Sequence, residues 1–236
     1  MYTALETLEI HEAAEARHII NFLRSIGSKQ LRSLSLHLPR GEADGVIKTL
    51  DAASKFTKLR SLELRADDTD SHFSFPPQAL FRLQHLEELK IKTSNLYTTD
   101  KSAEALARAC PKLRRVTLWY STQRCWSLNV LEHFAMHLPA LEFLNVELGT
   151  EGVLALDAPQ ACSWAPICLE LDGSQLSKEH WEPTAAYIAQ VYPNATFKPC
   201  FLWGDFLDDE LVGFRDHVLH WRYVGQAVAK ARSDER

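Results

Sequence analysis

The sequence contains little of what nucleotide-binding proteins and hydrolases usually carry. Glycine occurs only nine times in 236 residues, and neither a G-x-G-x-x-G pattern nor a P-loop pattern is present. Such glycine-rich patterns let the backbone approach a phosphate group, so no nucleotide site is predicted. The G-x-S-x-G turn of many hydrolases is also missing, and no nucleophile stands at a recognisable spacing from a base. We therefore predict no catalytic residue, no cofactor and no enzymatic activity.

Cysteine is scarce and irregularly spaced. An odd number of cysteines and the lack of a C-x-x-C pair argue against a disulfide framework and a thiolate zinc site. The five are Cys110, Cys125, Cys162, Cys168 and Cys200. The first ten residues have neither a basic region nor an unbroken apolar stretch, so no signal peptide is predicted. Together these features predict reduced thiols and a cytoplasmic or nuclear location.

Long apolar runs and an excess of positive charge are absent as well. Apolar runs such as residues 185–189 are far shorter than the roughly 20 residues that a bilayer requires. The net charge is −5 and the pI is about 6.1, whereas nucleic-acid-binding proteins usually carry a basic surface. We predict neither a membrane nor a nucleic acid as a partner.

Two short patterns resemble metal sites without completing one. His133 and His137 stand one helical turn apart, but no glutamate occupies the metalloprotease position and no third ligand lies near in sequence. Residues 67–70 are rich in aspartate, yet the spacing and the glycine of a calcium-binding EF-hand loop are missing. We interpret both as ordinary polar surface and predict no metal.

What the chain does contain is an internal repeat of the form L-x-x-L-x-L, with Val or Ile allowed. Copies start at Leu5, Leu31, Leu59, Leu86, Leu113 and Leu141, which gives steps of 26, 28, 27, 27 and 28 residues. A degenerate seventh copy places Pro166, Leu169 and Leu171 in the three positions. A repeat of this period is the signature of a stacked architecture, in which each unit buries its surfaces against its neighbours.

Each unit is predicted to be a strand followed by a helix. The last two apolar positions of the pattern are two apart and so point to one side of a strand. About a dozen residues later the apolar spacing becomes helical, as in Val46, Leu50 and Ala53. Stacked units would then share one core between a parallel sheet and a layer of helices.

Over roughly residues 5–172 the chain resembles leucine-rich repeat proteins of the ribonuclease-inhibitor-like type. The resemblance implies an α/β solenoid, or horseshoe, with a parallel sheet on the concave side and helices on the convex side. One departure concerns the position three residues after the last apolar strand residue, which usually holds Asn or Cys. Here the residue at that slot differs from unit to unit, so the capping asparagine ladder is absent. That slot holds Ala13, Pro39, Asp67, Ser94, Ser121 and Gly149.

We predict two regions: residues 1–172 as leucine-rich repeats (about seven units, the seventh degenerate), and residues 173–236 as a terminal repeat helix with a C-terminal helical cap. From Leu207 to Val228 apolar residues recur every three or four positions, which is typical of a helix with one buried face. The alternative is that this last helix binds a partner.

Several short sequence segments also resemble the repeat regions of fungal F-box proteins. They are residues 113–119, 109–112 and 191–194, and an ending with an aromatic-acidic stretch (203–210) before a basic-amphipathic helix (221–232). The resemblance implies substrate recognition in a cullin-type ubiquitin ligase. The F-box itself, which the family places before the repeats, is not in this sequence, so a ligase adaptor is expected as a partner only if an F-box lies upstream. A truncated gene model, a fragment, and a chain that pairs with a partner at its first repeat all stay open.

The partner-binding surface is expected on the concave face, where each strand contributes alternate side chains. Along the repeats this face changes from polar with histidines to basic, then aromatic, then acidic. The predicted site comprises Arg65, Lys90, Lys92, Arg115, Thr117, Trp119, Phe143 and Asn145. Exposed Trp and Arg are frequent in binding hot spots. The alternatives are that isolated exposed aromatics are normal, or that the C-terminal tail folds back over them.

We therefore predict a non-catalytic protein-interaction module whose concave face binds a protein target. The leading context is a substrate receptor of a ubiquitin ligase; the alternative is a stand-alone leucine-rich repeat regulator or inhibitor. A third possibility is an enzyme that uses a groove on this scaffold. Four cations, Arg65, Lys90, Lys92 and Arg115, have the chemistry to bind a phosphate group.

Overall fold

The structure is a computed structural model that describes residues 5–11, 15–39, 43–66, 73–74, 78–93, 96–119, 126–171, 174, 176–198 and 212–234. For residues 43–44, 73–74, 119, 212–218 and 234 only the backbone is described.

Strands and helices alternate along most of the described chain. The strands are β1 (Thr7–Ile10), β2 (Ser33–Leu38), β3 (Ser61–Ala66), β4 (Phe73–Ser74), β5 (Glu88–Thr93), β6 (Leu96–Tyr97), β7 (Arg115–Trp119), β8 (Trp126–Ser127), β9 (Phe143–Asn145), β10 (Leu148–Gly149), β11 (Ile167–Glu170) and β12 (Ala195–Phe197). The α-helices are α1 (Ala16–Ser25), α2 (Ala43–Ala53), α3 (Asp100–Ala109), α4 (Asn129–His137), α5 (Trp181–Val191) and α6 (Val212–Asp234). The part of the chain that the structure describes is thus an α/β fold with six α-helices.

Eight of these strands form one parallel sheet in the order β1-β2-β3-β5-β7-β9-β11-β12. Two small parallel pairs, β4 with β6 and β8 with β10, lie outside it. The same backbone bond joins successive units just before each strand: the amide of Arg60 donates to the carbonyl of Arg32, and that of Glu87 to Arg60, both at 2.7 Å. Each strand is therefore held to the preceding one by equivalent contacts.

The repeated leucines explain which side of the sheet is buried. Across β2, β3, β5, β7, β9 and β11 the register aligns one apolar residue from each strand, and every member of this row is at most 1% exposed. The row consists of Leu34, Leu62, Leu89, Val116, Leu144 and Leu169. These side chains form one core with helix residues such as Leu23, Leu50 and Leu106. Because side chains alternate along a strand, the residues between the leucines lie on the opposite side.

The prediction of a helix in every unit is wrong for two connections. Before β5 the chain forms a 3-10 helix at Gln78–Arg82, and after β10 a shorter one at Val153–Ala155. Prolines 76 and 77 stand directly before the first, and proline cannot donate the amide bonds that a helix interior needs. The second begins after Gly152, whose φ of +88° is the left-handed conformation that glycine adopts readily.

The sheet ends in a strand that the sequence analysis did not predict. β12 pairs in parallel with β11, Ala195 aligning with Ile167. Helix α6 packs on α5 and β12 and buries Trp221, whose indole Nε1 donates to the carbonyl of Ser174 at 2.9 Å. None of the helices described is long and apolar enough to cross a bilayer.

Candidate partner-binding face

The side of the sheet opposite the leucines carries mainly polar residues, which the register arranges in three rows. We call this surface the polar face. The first row is Thr7, Ser33, Ser61, Glu88, Arg115, Phe143, Cys168 and Thr196. The second is Glu9, Ser35, Glu63, Lys90, Thr117, Asn145 and Glu170. The third is His37, Arg65, Lys92 and Trp119. Adjacent positions in a row come from strands about 4.8 Å apart.

The eight predicted site residues all occupy these rows. Arg115 and Phe143 are neighbours in the first row, and Lys90, Thr117 and Asn145 are consecutive in the second. Arg65, Lys92 and Trp119 are consecutive in the third. The side chain of Trp119 lies outside the described part of the chain, so its role as an aromatic contact stays a prediction.

Glu63 connects the basic residues at the middle of the polar face. Its Oε1 lies 2.6 Å from Nε of Arg65 and 2.9 Å from Nζ of Lys90. Burial of the carboxyl raises its pKa, but the hydrogen bonds and charges of Lys90 and Arg65 outweigh burial, so the pKa of Glu63 is lowered. Two of the cations predicted to meet a partner are thus already engaged within the chain.

The pKa of Lys92 is lowered by burial and, in part, by the positive charges around Glu63. Burial lowers its pKa, and the charges of Lys90 and Arg65 act in the same direction, while Glu63 and Glu170 oppose them. On the polar face of β3 and β5 there are three cations, Arg65, Lys90 and Lys92, and two carboxylates, Glu63 and Glu88, so this part carries more positive than negative charge.

A second cluster surrounds Phe143 on β9. The guanidinium of Arg115 lies 4.5 Å from the centre of the Phe143 ring, and Nζ of Lys198 lies 6.0 Å from it. Both distances are within the range of cation–π attraction. Arg115 also approaches Glu88, its Nε lying 3.6 Å from Oε1. We call Arg115, Phe143 and Lys198 the cation–aromatic cluster.

Lys198 is the member that the sequence analysis missed. It follows β12 directly, and its Nζ lies 3.6 Å from Oε2 of the largely buried Glu170. A signal for this strand is present in the chain: Tyr192-Pro193 precedes Ala195 with the spacing of Cys110-Pro111 before Leu113. The same turn forms at both places: the amide of Ala195 donates to the carbonyl of Tyr192 at 3.0 Å, and that of Leu113 to the carbonyl of Cys110 at 3.1 Å.

A row of charges also lies beside the polar face, just before the strands begin, and was not predicted. Arg60 contacts Glu87 at 3.1 Å, and one unit further Arg114 pairs with Glu142. These pairs are exposed, and exposed ion pairs contribute little to stability. Their regular placement gives the edge of the sheet alternating charges.

One of the two histidines on α4 contacts the neighbouring helix α3. Nε2 of His137 accepts a hydrogen bond from Nε of Arg108 at 3.4 Å, and both histidines are half-buried. Within the described ranges, no group of three or more His, Cys, Asp or Glu side chains could hold a metal ion.

Among its described side chains, the polar face offers hydrogen-bonding groups, charges and the ring of Phe143 held in place by its neighbours. This chemistry suits non-covalent binding of an extended surface. No protein-family model matches the sequence, and a search of curated proteins gives no match.

Proposed function

We propose that the chain is a leucine-rich repeat solenoid, curved into a horseshoe, whose polar face binds a protein. The support is the near-constant spacing of 26–28 residues together with a register that places equivalent residues of successive units side by side. Helices on the other side of such a sheet need more width than strands, which curves the stack and makes the polar face concave.

The observation that carries the binding proposal is the cation–aromatic cluster. Phe143 is only half-buried, and its ring is fixed by Arg115 on one strand and Lys198 after another. Aromatic and arginine side chains dominate binding hot spots because they bury a large area at a small cost in conformational entropy. A partner would contact this cluster first, with the basic group around Glu63 beside it.

The test is affinity purification followed by binding measurements on the purified partner. Phe143→Ala and Arg115→Ala should each weaken partner binding by about tenfold or more, the effect expected of a hot-spot residue. The matched control is Phe22→Ala on α1, an exposed phenylalanine of the helix layer. Equal binding by all three variants would contradict the proposal.

For the biological context we propose substrate recognition in a cullin-type ubiquitin ligase, in the cytoplasm or nucleus, with a stand-alone regulator or inhibitor as the alternative. Mapping the 5′ end of the transcript separates them. An in-frame F-box upstream should give a longer chain that captures the ligase adaptor. A transcript that starts at Met1 would favour the stand-alone regulator.

A further inference from the structure

A second surface on the helix side differs from the polar face in both charge and apolar exposure. From Cys125 to Ser177 the chain has no lysine or arginine in 53 residues. Three of its carboxylates belong to α4 and to the connection after β10, namely Glu132, Glu151 and Asp157. Three of the most exposed large apolar side chains lie in this same stretch: Met136 at 51%, Leu154 at 71% and Trp164 at 65% exposed. An acidic surface that also exposes bulky apolar groups is unusual for a protein without a partner there.

The exposed tryptophan belongs to an extended segment that takes the place of a helix. Residues 160–166 run between α4 and α5: the amide of Gln160 donates to the carboxylate of Glu132 on α4 at 2.8 Å. The amide of Ser163 donates to the carbonyl of Val191 on α5 at 2.8 Å. Because the segment is held on both sides, it bridges the two helices within the helix layer.

The segment has one inward and one outward side. Ala161, Ser163 and Ala165 are half-buried, whereas the alternate residues, including Cys162 and Trp164, are exposed. The carbonyl of Trp164 itself accepts a hydrogen bond from Nδ2 of Asn194 at 2.8 Å. The backbone is therefore fixed while the indole points to solvent, which is the arrangement of a preorganised binding contact.

Neighbouring elements extend this surface. Met136 lies one helical turn after Glu132 on α4, and the 3-10 helix that carries Leu154 contacts α5. The exposed carboxylates Glu151 and Asp157 lie on either side of Leu154 in the chain. Arg108 of α3 contacts His137 on α4. Its Nη2 also lies 2.6 Å from Oε1 of Glu104, so a carboxylate is paired with this cation. We call these residues the helix-side surface: Met136, Leu154, Trp164, Glu151 and Asp157.

We propose that the helix-side surface is a second docking site, separate from the polar face, for a basic segment of a partner protein that carries bulky apolar side chains. The apolar groups of the segment contact Trp164, Leu154 and Met136, and its lysines or arginines meet the surrounding carboxylates. Charge complementarity selects this occupant, because Glu151 and Asp157 are exposed beside Leu154 and the stretch from Cys125 to Ser177 has no lysine or arginine.

The experiment selects peptides of about 16 random residues, displayed on phage, against the purified chain. We expect enrichment of sequences that combine Lys or Arg with Leu, Phe or Trp. Binding of the best synthetic peptide should fall at least about tenfold in Trp164→Ser and in the Glu151→Lys/Asp157→Lys double variant. Trp164→Phe should retain most of the binding, and circular dichroism checks that each variant is folded.

Two controls keep this proposal separate from the polar face. Phe22→Ser changes an exposed aromatic of α1 and should leave peptide binding unchanged, as should Phe143→Ala. A selected pool without peptides that combine Lys or Arg with Leu, Phe or Trp would overturn the proposal, as would equal binding of the best peptide by Trp164→Ser. A second copy as the occupant would also overturn it, and light scattering would then show a dimer that Trp164→Ser disrupts.

Discussion

Glu63 shows how one side chain determines the character of the polar face. A carboxylate placed between Arg65 and Lys90 holds both cations in position and removes two of the charges that the sequence presents as available to a partner. Its own pKa is lowered as a result. The pairs are partly shielded from water, so their contribution exceeds that of fully exposed pairs.

The lowered pKa of Glu63 makes this contribution dependent on pH. A carboxyl whose folded pKa is depressed stabilises the fold above its unfolded value of about 4.5, and that stabilisation is lost as the pH falls through the lowered folded value. The variant Glu63→Gln should therefore be less stable than the wild type near neutral pH, and the difference should shrink in acid. Urea unfolding at about pH 7 and about pH 3 measures this; a difference that is constant with pH would contradict it.

The buried row contains the residues that hold the sheet to the helices. Leu89 is 0% exposed and lies in register between Leu62 and Val116. Leu89→Ala should lower the free energy of unfolding by about 2–5 kcal/mol, through lost apolar burial and the cavity that remains. Thr117→Ala, a half-buried position on the opposite side of the sheet, should change it by less than about 1 kcal/mol. Chemical denaturation of both variants decides whether the two sides differ in this way.

At the scale of elements, α3 has the best-defined start among the helices described. Thr99 precedes it, and its hydroxyl accepts a hydrogen bond from the amide of Ser102, while the hydroxyl of Ser102 accepts one from the amide of Thr99. Asp100 then accepts hydrogen bonds from both the amide and the hydroxyl of Ser127 in the next unit. The helix start is thus tied to its neighbour.

Thr99→Ala should cost about 1 kcal/mol of stability, because it removes the cap of α3. The control is Lys101→Ala, an exposed position in the first turn of the same helix, where we expect almost no change. Thermal unfolding followed by circular dichroism compares the two. A Thr99→Ser variant should recover most of the loss, since serine keeps the capping hydroxyl.

Elements whose apolar pattern is regular could be predicted from the sequence, and those that depend on other parts of the chain could not. The leucine spacing places β2, β3, β5 and β7 correctly because burial on one side alone determines it. Ala195–Phe197 has a weak strand pattern and becomes a strand only because β11 offers a free edge. The 3-10 helix at Gln78–Arg82 likewise differs from what its residues favour, since Gln, Ala, Leu and Arg all have a high α-helix propensity.

The same distinction applies to the candidate site. The positions of Arg65, Lys92 and Phe143 on one side of the sheet follow from alternation along the strands. The contacts of Glu63 with Lys90 and of Arg115 with Phe143 could not be predicted, because they depend on which residue of the next strand comes into register. Lys198 was missed since its strand was missed.

At the scale of the whole molecule, the two ends of the sheet are not equivalent. Beyond β12, α6 packs on the last strand and on α5. At the other end, β1 pairs with β2 and with no further strand among the described residues. Its Leu8 and Ile10 are only partly buried, unlike the residues aligned with them in β2. A strand with one described neighbour and partly buried apolar side chains opens more readily than the strands inside the sheet.

Hydrogen exchange should reveal this difference. Amides of residues 7–10 should exchange at least about tenfold faster than those of residues 61–66 and 88–93, and also faster than those of residues 195–197. Mass spectrometry of peptic peptides gives the comparison. Protection of β1 equal to that of β5 would mean that another part of the protein, or a second molecule, covers this end.

The backbone bonds that join successive units have a consequence for the ancestry of the chain. Because Arg60 bonds to Arg32 just as Glu87 bonds to Arg60, a duplicated segment of about 27 residues would find matching donors and acceptors on both sides. A gene encoding such a protein can gain or lose whole units while the remaining ones keep their contacts. An insertion of one residue within a strand would instead turn the leucines beyond it toward solvent.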